Sequence, residues 1–519
     1  MRFDKGEKSV RVLAVLTWVV GLVFTSGCGG GGSTPVGVPS QPTATVALSP
    51  FAGQSLNPGD TLQITATVTT TASNTGVTWS LSGPGTLSST SANPVTYTAP
   101  SSGIAGNTDV VVTATAAADN TGTAYLPLTI LPPGTANGGD SAPLAVNAGP
   151  VGNSVNIAFV SVTLCNPGTT TCATIDDVQV DTGSEGLRLL QSAIPPSISL
   201  PTLTDTSGNT IDNCVSFADG SFLWGPVQAA DVKINGEVAA AALMQTIASS
   251  NTGIPSACTG TTLESTPQLL GANGIIGVGL EPTDCTLTGA NFCDGSVTST
   301  PPPVYFSCPS SGCASDAAPI FLDAVNQVVN PVVLYARDNN GVVINFPAVS
   351  GSAATVDGSL TFGIGTQSNN ALGSATVFGL DLNDNFITLY NGQTLTASFI
   401  DSGSNGLFFP SSIAVCADFT AFYCPPALTA QTATNEGATG APVSPTVNFS
   451  IDNADTLLAN PSDTAFATLG GPNGIANTCS NGSGACSFDW GLPFFYGRTV
   501  FTAIDGQTVS GGIAPFWAY

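Results

Sequence analysis

The chain has 519 residues with 33 acidic side chains, 8 basic side chains and no histidine, and its net charge is −25. Charged residues make up only 8% of it, which disfavours coiled coils and basic nucleic-acid-binding surfaces, so we expect no nucleic-acid partner. A chain without histidine has no Ser-His-Asp or Cys-His catalysis and no HExxH zinc site. An enzyme of this composition must use carboxylates, hydroxyls or its few cations.

Apolar residues are frequent enough for the chain to fold despite its charge, with a hydrophobic content of 42% and a mean hydropathy of +0.29. The length predicts two or three domains. Short strands rich in Thr and Val recur along the chain and are separated by clusters of turn-forming residues. They predict an all-β protein with few short helices.

Residues 1–28 have the composition of a secretory signal peptide, with a basic start and an apolar run from Val12 to Phe24 that is short for a bilayer span. The run ends at Cys28 in a sequence that resembles the bacterial lipobox, although Thr25 stands where leucine is usual. The resemblance implies that Cys28 is lipidated and that the protein is anchored in the bacterial cell envelope, at the outer membrane or cell surface, with the lipid as its only membrane contact. The alternative is an ordinary signal peptide with a chance cysteine.

Cleavage after the signal peptide would leave four basic residues, Arg188, Lys233, Arg337 and Arg498, in a chain that keeps most of its carboxylates. Such a surface repels itself at neutral pH and is relieved as carboxylates become protonated. We therefore expect an acidic working environment.

Residues 29–42 are rich in Gly, Ser, Thr and Pro and predict a flexible tether. Residues 43–131 then show alternating strands around one aromatic residue, Trp79, and contain no cysteine. This stretch resembles the bacterial Ig-like domains of surface proteins, which implies a β-sandwich spacer. The alternative role is binding of carbohydrate or protein, and residues 132–141 predict a linker.

Residues 142–519 are again rich in strands, and helical spacing of apolar residues appears from Ala318 to Val329, ahead of Pro331. Without Cys28, twelve cysteines remain, an even number that can pair completely in an exported chain. Their connectivity is not set by sequence, although nearest-neighbour pairing accounts for all of them, and zinc binding is the weaker alternative. The pairs are Cys165/Cys172, Cys214/Cys258, Cys285/Cys293, Cys308/Cys313, Cys416/Cys424 and Cys479/Cys486.

Two segments echo each other, residues 178–184 (VQVDTGS) and residues 398–404 (SFIDSGS). Each places Asp-Thr/Ser-Gly-Ser at the end of an apolar strand, and a leucine follows in both, at Leu187 and Leu407. One such pattern is weak evidence in a chain rich in Gly and Ser, but two in matched strand contexts are stronger. The alternative is a pair of strand-ending turns.

Residues 142–519 resemble the pepsin-like aspartic peptidases, bilobal β proteins in which each lobe contributes one such loop to a shared cleft. Residues 273–279 (NGIIGVG), 332–338, 360–365 and 490–505 resemble further family landmarks in the right order. The layout also resembles an uncharacterised family of bacterial lipoproteins. The segment that resembles the flap hairpin contains Phe217, Asp219 and Gly220.

The resemblance implies a catalytic pair, Asp181 and Asp401, that shares one proton, activates a water and hydrolyses peptide bonds of a peptide or protein substrate. No metal or cofactor is expected, and acid and base roles stay unassigned because the pair titrates jointly. The residues expected to hold the two carboxylates are Thr182, Gly183, Ser184, Ser402, Gly403 and Ser404.

Three departures from the family pattern cast doubt on ordinary peptidase efficiency. Phe217 and Arg188 replace a tyrosine and a tryptophan that normally share a hydrogen bond, and we expect Pro493 at a glycine position of the second lobe. The alternative function is a catalytically weak or inactive surface protein that binds peptide or glycan in the same cleft.

Two polar segments, residues 381–385 and residues 337–341, offer oxygen ligands for calcium. Neither has the spacing of a calcium-binding loop, so we interpret both as polar hairpin turns.

Overall fold

The computed structural model describes residues 44–49, 54–56, 59–70, 73–101, 108–118, 122–130, 140–250, 252–258, 260–367, 369–439, 445–472, 486–509 and 512–519. Cys28, the signal peptide and the tether lie outside the described residues. The described residues form two compact units, divided after Gly134. The protein is all-β with few short helices.

The N-terminal unit is an Ig-like sandwich of two four-stranded sheets, with strand orders β1-β3-β6-β5 and β2-β8-β7-β4. Its strands in the described residues are β1 (Thr45–Ser49), β2 (Gln54–Leu56), β3 (Thr61–Thr69), β4 (Val77–Ser82), β5 (Thr86–Leu87), β6 (Val95–Thr98), β7 (Thr108–Ala116) and β8 (Thr123–Ile130).

Alternation of apolar and polar residues builds this sandwich, because successive side chains of a strand point to opposite faces. Ile64 of one sheet and Val112 and Leu126 of the other are fully buried in a single core. Trp79 lies in the same core and donates its indole N–H to the backbone oxygen of Ala92 at 2.8 Å. The one aromatic expected to fill the core therefore does so.

The first half of the C-terminal unit contains a closed ring of strands. Strands β14, β15, β12, β17, β11 and β10 pair in this order, and β10 pairs back with β14. The elements of this half are β9 (Ser141–Val146), β10 (Ala158–Cys165), β11 (Cys172–Asp181), β12 (Glu185–Leu190), β13 (Thr210–Ser216), β14 (Ser221–Ile234), β15 (Glu237–Ile247), β16 (Thr262–Leu263), α1 (Pro267–Leu270), β17 (Gly274–Val278), β18 (Thr286–Leu287), β19 (Ala290–Asn291) and β20 (Tyr305–Cys308), with 3₁₀ turns at Gln191–Ala193 and Ala324–Asn326.

The second half contains a seven-stranded sheet of order β29-β28-β25-β26-β32-β27-β31, while β23, β21, β33, β36 and β24 extend the large sheet beyond β9. Its elements are β21 (Gly341–Asn345), β22 (Ser352–Ala353), β23 (Val356–Phe362), β24 (Val377–Gly379), β25 (Phe386–Tyr390), β26 (Gln393–Ile400), β27 (Leu407–Phe408), β28 (Thr429–Glu436), β29 (Thr446–Ile451), α2 (Ala454–Leu457), β30 (Ala465–Phe466), β31 (Gly470–Gly471), β32 (Asp489–Trp490), β33 (Thr499–Ala503), β34 (Thr508–Val509), β35 (Gly512–Ile513) and β36 (Phe516–Ala518), with 3₁₀ helices at Pro331–Leu334 and Leu492–Phe495.

The helix predicted over Ala318–Val329 is wrong. The segment has no α-helix and only one 3₁₀ turn, at Ala324–Asn326, and the amides of Ile320 and Leu322 donate to the backbone oxygens of Tyr305 and Cys293. Both side chains pack against an apolar cluster in the first half. Tertiary hydrogen bonds therefore outweigh the helical spacing of the sequence.

Five of the six predicted disulfides are present with the predicted partners. The sixth differs: Cys486 is disulfide-bonded, but its predicted partner, Cys479, lies outside the described residues. The pairing of Cys486 with Cys479 therefore stays a prediction. The five bonded pairs are Cys165–Cys172, Cys214–Cys258, Cys285–Cys293, Cys308–Cys313 and Cys416–Cys424. Within the described part of the chain, none of the helices is both long and apolar enough to cross a membrane.

Candidate functional site

The two Asp-containing loops lie on strand sets of the same design. Strand β11 runs parallel to β17, which is antiparallel to β12. Strand β26 likewise runs parallel to β32, which is antiparallel to β27. The echo between residues 178–184 and residues 398–404 therefore reflects two equivalent three-stranded frames.

Each frame needs a glycine beside its Asp loop. Gly277 pairs with Asp181, and Gly491 directly follows Trp490, whose backbone oxygen accepts from the Asp401 amide at 3.1 Å. A Cβ on Gly491 would lie 2.6 Å from the Ser404 backbone oxygen. The prediction that Pro493 takes this glycine position is wrong, because Pro493 lies in the 3₁₀ helix that follows.

A reciprocal pair of hydrogen bonds holds the two loops together. The Thr182 amide donates to Ser402 Oγ at 3.1 Å, and the Ser402 amide donates to Thr182 Oγ1 at 2.9 Å. Each hydroxyl also donates across to the strand of the other loop, Thr182 to the Ile400 oxygen and Ser402 to the Val180 oxygen. All these groups are buried, so water does not compete for the hydrogen bonds of the junction.

This junction brings the carboxyl groups of Asp181 and Asp401 into a shared side-chain hydrogen bond. The Gly183 amide donates to Asp181 Oδ1 at 2.9 Å and the Gly403 amide donates to Asp401 Oδ1 at 2.7 Å. Ser184 donates to Asp181 Oδ2. Every residue predicted to support the pair therefore lies at it.

The glycines permit this approach. A Cβ on Gly183 would lie 2.7 Å from the Asp401 carboxyl carbon, and one on Gly403 would overlap the Asp181 carboxyl. Real Cβ contacts are longer, so any side chain here would push the two loops apart.

Burial dominates the electrostatics of the pair. It raises the pKa of Asp181, and it raises the pKa of Asp401 well above the usual carboxyl range. The shared hydrogen bond, Ser184 and Arg188 act in the opposite direction on the pKa of Asp181. Two buried carboxyls in contact cannot both ionise cheaply, so they share a proton.

A third carboxyl, Asp489, lies beside the pair and was not predicted. Ser404 Oγ lies 2.9 Å from Asp401 Oδ2 and 2.6 Å from Asp489 Oδ2. Asp489 begins β32, where the corresponding strand of the first half has Ile275. The signal in the sequence is that residues 489–491 are Asp-Trp-Gly, with a carboxyl at the position where residues 275–277 of the first half, Ile-Ile-Gly, have an apolar side chain.

Arg188 anchors the first loop from behind. Its side chain is 1% exposed and forms a 3.0 Å ion pair with Asp284. It also donates to the amide oxygens of Asn213 and Gln245, at 2.5 and 3.0 Å. Arg188 therefore joins β12 to β13 and β15 through charge-assisted hydrogen bonds, where the sequence comparison expected a tryptophan.

The segment predicted as a flap is a hairpin turn between β13 and β14, closed by a 2.8 Å bond from the Phe217 amide to the Ser221 oxygen. Gly220 has a φ of +86° there, and Asp219 Oδ1 accepts from the Ser221 amide and hydroxyl. Phe217 is 2% exposed and packs in an apolar cluster with Phe159. Its ring therefore belongs to the core of the first half.

A cavity of about 190 Å³ lies in the second half. Its walls include Leu407, Phe449, Trp490, Phe494 and Arg498. The Arg498 guanidinium lies 4.5 Å from the centre of the Phe494 ring. Neither carboxyl of the pair lines this cavity.

Of the two segments considered for calcium, residues 381–385 form a polar turn, whereas residues 337–340 form a bend ahead of β21, so the hairpin turn predicted for residues 337–341 is wrong. Asp381 Oδ1 accepts from the amides of Asn383 and Asn385, at 2.8 and 3.0 Å. Asp338 accepts from Thr366 and Gln367. Their carboxylates are thus used by the protein itself.

In the described ranges, three metal-ligating side chains converge only at Cys416, Cys424 and Asp455. The two cysteines are bonded to each other there, so they are not thiolate ligands.

Comparison with known proteins identifies a family for the C-terminal unit. Residues 136–519 match a family described as "Protein of unknown function (DUF3443)". A search of curated proteins gives no match. Among solved structures, cadherin domains 1–4 of protocadherin gamma B7 align over 79% of this chain and 76% of that chain, with 11% identity and a TM-score of 0.15, a similarity too low to support an argument.

Proposed function

The chain belongs to the DUF3443 family, and we propose that it is an exported aspartic peptidase-like hydrolase whose catalytic groups are Asp181 and Asp401. What supports the proposal is the shared hydrogen bond between these two carboxyl groups. The resemblance of the sequence to pepsin-like aspartic peptidases gives the same pair. The substrate class is a peptide or an unfolded protein.

The chemistry follows from two carboxyls that share one proton. One carboxyl takes a proton from a water molecule as the water attacks the peptide carbonyl carbon. The other donates its proton to the carbonyl oxygen, which gives a tetrahedral intermediate that then collapses. The reaction needs neither histidine nor a metal, in keeping with the composition of the chain.

Hydrolysis of a denatured protein at acidic pH tests this proposal. We expect Asp181→Asn and Asp401→Asn each to lower the rate by about 100-fold or more, because general acid–base catalysis contributes at least that much. The matched control is Asp316→Asn, which changes an exposed carboxylate. Equal rates for the wild type and the Asp181 variant would reject the mechanism.

A second candidate function is a surface protein that binds a peptide or glycan without turnover. The burial of the pair favours it, since Asp181 is 1% exposed and Asp401 is fully buried. Isothermal titration of the wild type with peptides and oligosaccharides tests it. Binding without hydrolysis, unchanged in Asp181→Asn, would support this candidate over the peptidase.

We also propose that Cys28 carries a lipid that anchors the protein in the bacterial cell envelope. The lipobox-like residues before it and the five disulfides, which suit an oxidising compartment, support this. Labelling with a radioactive fatty acid tests it, with Cys28→Ala as the variant. Equal label in both forms would reject lipidation at this residue.

A further inference from the structure

Asp489 occupies a position where the two strand frames differ in chemistry but agree in geometry. It pairs with Phe399 in the second frame, as Ile275 pairs with Gln179 in the first. Asp489 is 1% exposed. Since an isoleucine serves the same place in the first frame, strand pairing alone does not require a carboxyl.

The protonation state of Asp489 follows from counting hydrogens at Ser404. The Ser404 hydroxyl lies within hydrogen-bond distance of two carboxyl oxygens, 2.9 Å from Asp401 Oδ2 and 2.6 Å from Asp489 Oδ2. A serine hydroxyl has one proton and can donate it to only one of them. The other carboxyl must therefore be protonated and donate to Ser404 Oγ.

The partners of the remaining oxygens decide which carboxyl holds this proton. Asp401 Oδ1 accepts from the Gly403 amide at 2.7 Å. Asp489 Oδ1 is buried and has no hydrogen-bond partner. An unpartnered buried oxygen costs far more on a carboxylate than on a neutral acid, so the proton belongs to Asp489.

The charges around Asp489 act in the same direction. Burial raises the pKa of Asp489 well above the usual range, and the charge of Asp181 raises it further. An ionised Asp489 would raise the pKa of Asp401, a repulsion that a protonated Asp489 relieves, and the nearby cation, Arg188, acts on Asp181. The three carboxyls together therefore hold more than the single proton of an isolated pair.

We propose that Asp489 is a positioning residue of the carboxyl pair: it stays protonated, donates to Ser404 Oγ, and so directs the Ser404 proton to Asp401 Oδ2. This inference rests on the proposed function. A hydrogen bond donated to Asp401 Oδ2 stabilises the ionised form of Asp401. In the first frame, Ile275 takes the place that Asp489 has in the second. The two loops therefore differ in the residue at this position.

The pH dependence of hydrolysis separates this role from a purely structural one. In Asp489→Asn the amide can donate to Ser404 as the protonated acid does, but it never ionises. Because this neutral donor to Ser404 is retained, we expect the acidic and alkaline limbs of kcat/KM in this variant to stay where the wild type has them. Asp489→Ile, which copies the first frame, should lower kcat at every pH. A kcat of Asp489→Ile equal to that of the wild type, or a loss in Asp489→Asn as large as the loss in Asp489→Ile, would overturn the inference.

A second measurement does not need activity. An unfolded Asp has a pKa of about 3.9, so an Asp489 that is protonated in the fold takes up a proton on folding at higher pH. The pH slope of the unfolding free energy gives the number of protons taken up on folding. Between about pH 5 and about pH 7, this number should therefore be smaller by about one in Asp489→Asn than in the wild type. Asp316→Asn, at an exposed site, should leave the slope unchanged.

The two measurements distinguish the two proposals. An unchanged slope in Asp489→Asn would overturn the protonated state of Asp489, even in a protein that hydrolyses peptides. A changed slope in a protein that hydrolyses nothing would support the protonated Asp489 and reject the peptidase.

Discussion

At the scale of single residues, the site depends on short polar side chains that replace water as hydrogen-bond partners. Thr182 and Ser402 satisfy each other's buried amides, and their hydroxyls satisfy two strand oxygens. A buried amide without a partner costs about 1–3 kcal/mol. The distance between the carboxyls is therefore set by two hydroxyls rather than by the carboxyls themselves.

Thr182→Val tests this junction, because valine keeps the shape but leaves the Ser402 amide without an acceptor. We expect the free energy of unfolding to fall by about 1–3 kcal/mol. Thr182→Ser keeps the hydroxyl and should remain close to the wild type. Urea unfolding measures both, with Thr170→Val as a control at an exposed threonine. A Thr182→Val variant as stable as the control would contradict the assigned role.

At the scale of elements, disulfides attach hairpins and loops to the strand framework. Cys214 of β13 is joined to Cys258, 44 residues later, whereas Cys308 and Cys313 are only 5 residues apart. A disulfide stabilises mainly by restricting the unfolded chain, and the effect grows with the length of the closed loop. The hairpin of β13 and β14 should therefore depend more on its disulfide than the region after β20 does.

Removal of each pair by double Cys→Ser substitution tests this difference. Chain entropy predicts a loss of about 4 kcal/mol for Cys214/Cys258 and about 2 kcal/mol for Cys308/Cys313. Guanidinium unfolding of the two variants provides the comparison. A larger loss for the short loop would show that loop entropy is not the main contribution.

At the scale of the whole molecule, carboxyls of the two halves of the C-terminal unit meet. Asp384 of the second half accepts from Thr288 Oγ1 at 3.0 Å, and Glu281 of the first half accepts from the Thr288 amide at 2.6 Å. The Asp384 and Glu281 carboxyls are in side-chain contact. Burial raises the pKa of Asp384 to about 6, and the charges of Asp505 and Asp381 add to this shift.

This contact predicts that the C-terminal unit loses stability as the pH rises. A folded-state pKa above the unfolded value means that the folded state binds the extra proton, so stability falls between the unfolded value near 3.8 and the folded value of about 6. Asp384→Asn should be more stable than the wild type above about pH 6 and similar to it below about pH 4. Urea midpoints over this range measure the difference. A wild type that gains stability on going from acid to neutral pH, relative to Asp384→Asn, would disprove it.

The sequence by itself determined the features that local pattern encodes. Alternating Thr and Val residues predict the strands, the cysteines that lie close in sequence indicate four of the observed disulfides, and the repeated Asp-Thr/Ser-Gly-Ser pattern predicts the two loops that meet. These features follow from neighbouring residues, because a strand, a short bridge or a turn depends on a few positions along the chain.

Only the tertiary structure decided which distant groups share one environment. Asp489 contacts Ser404 across 85 residues of chain, Phe217 lies inside a core cluster, and Gly491 rather than Pro493 takes the glycine position of the second frame. The apolar pattern of residues 318–329 predicted a helix wrongly. A local pattern does not reveal the tertiary hydrogen bonds to the backbone oxygens of Tyr305 and Cys293. Burial and proton sharing depend on contacts between segments far apart in sequence. These contacts form only when the strands that carry the segments pair in the folded protein.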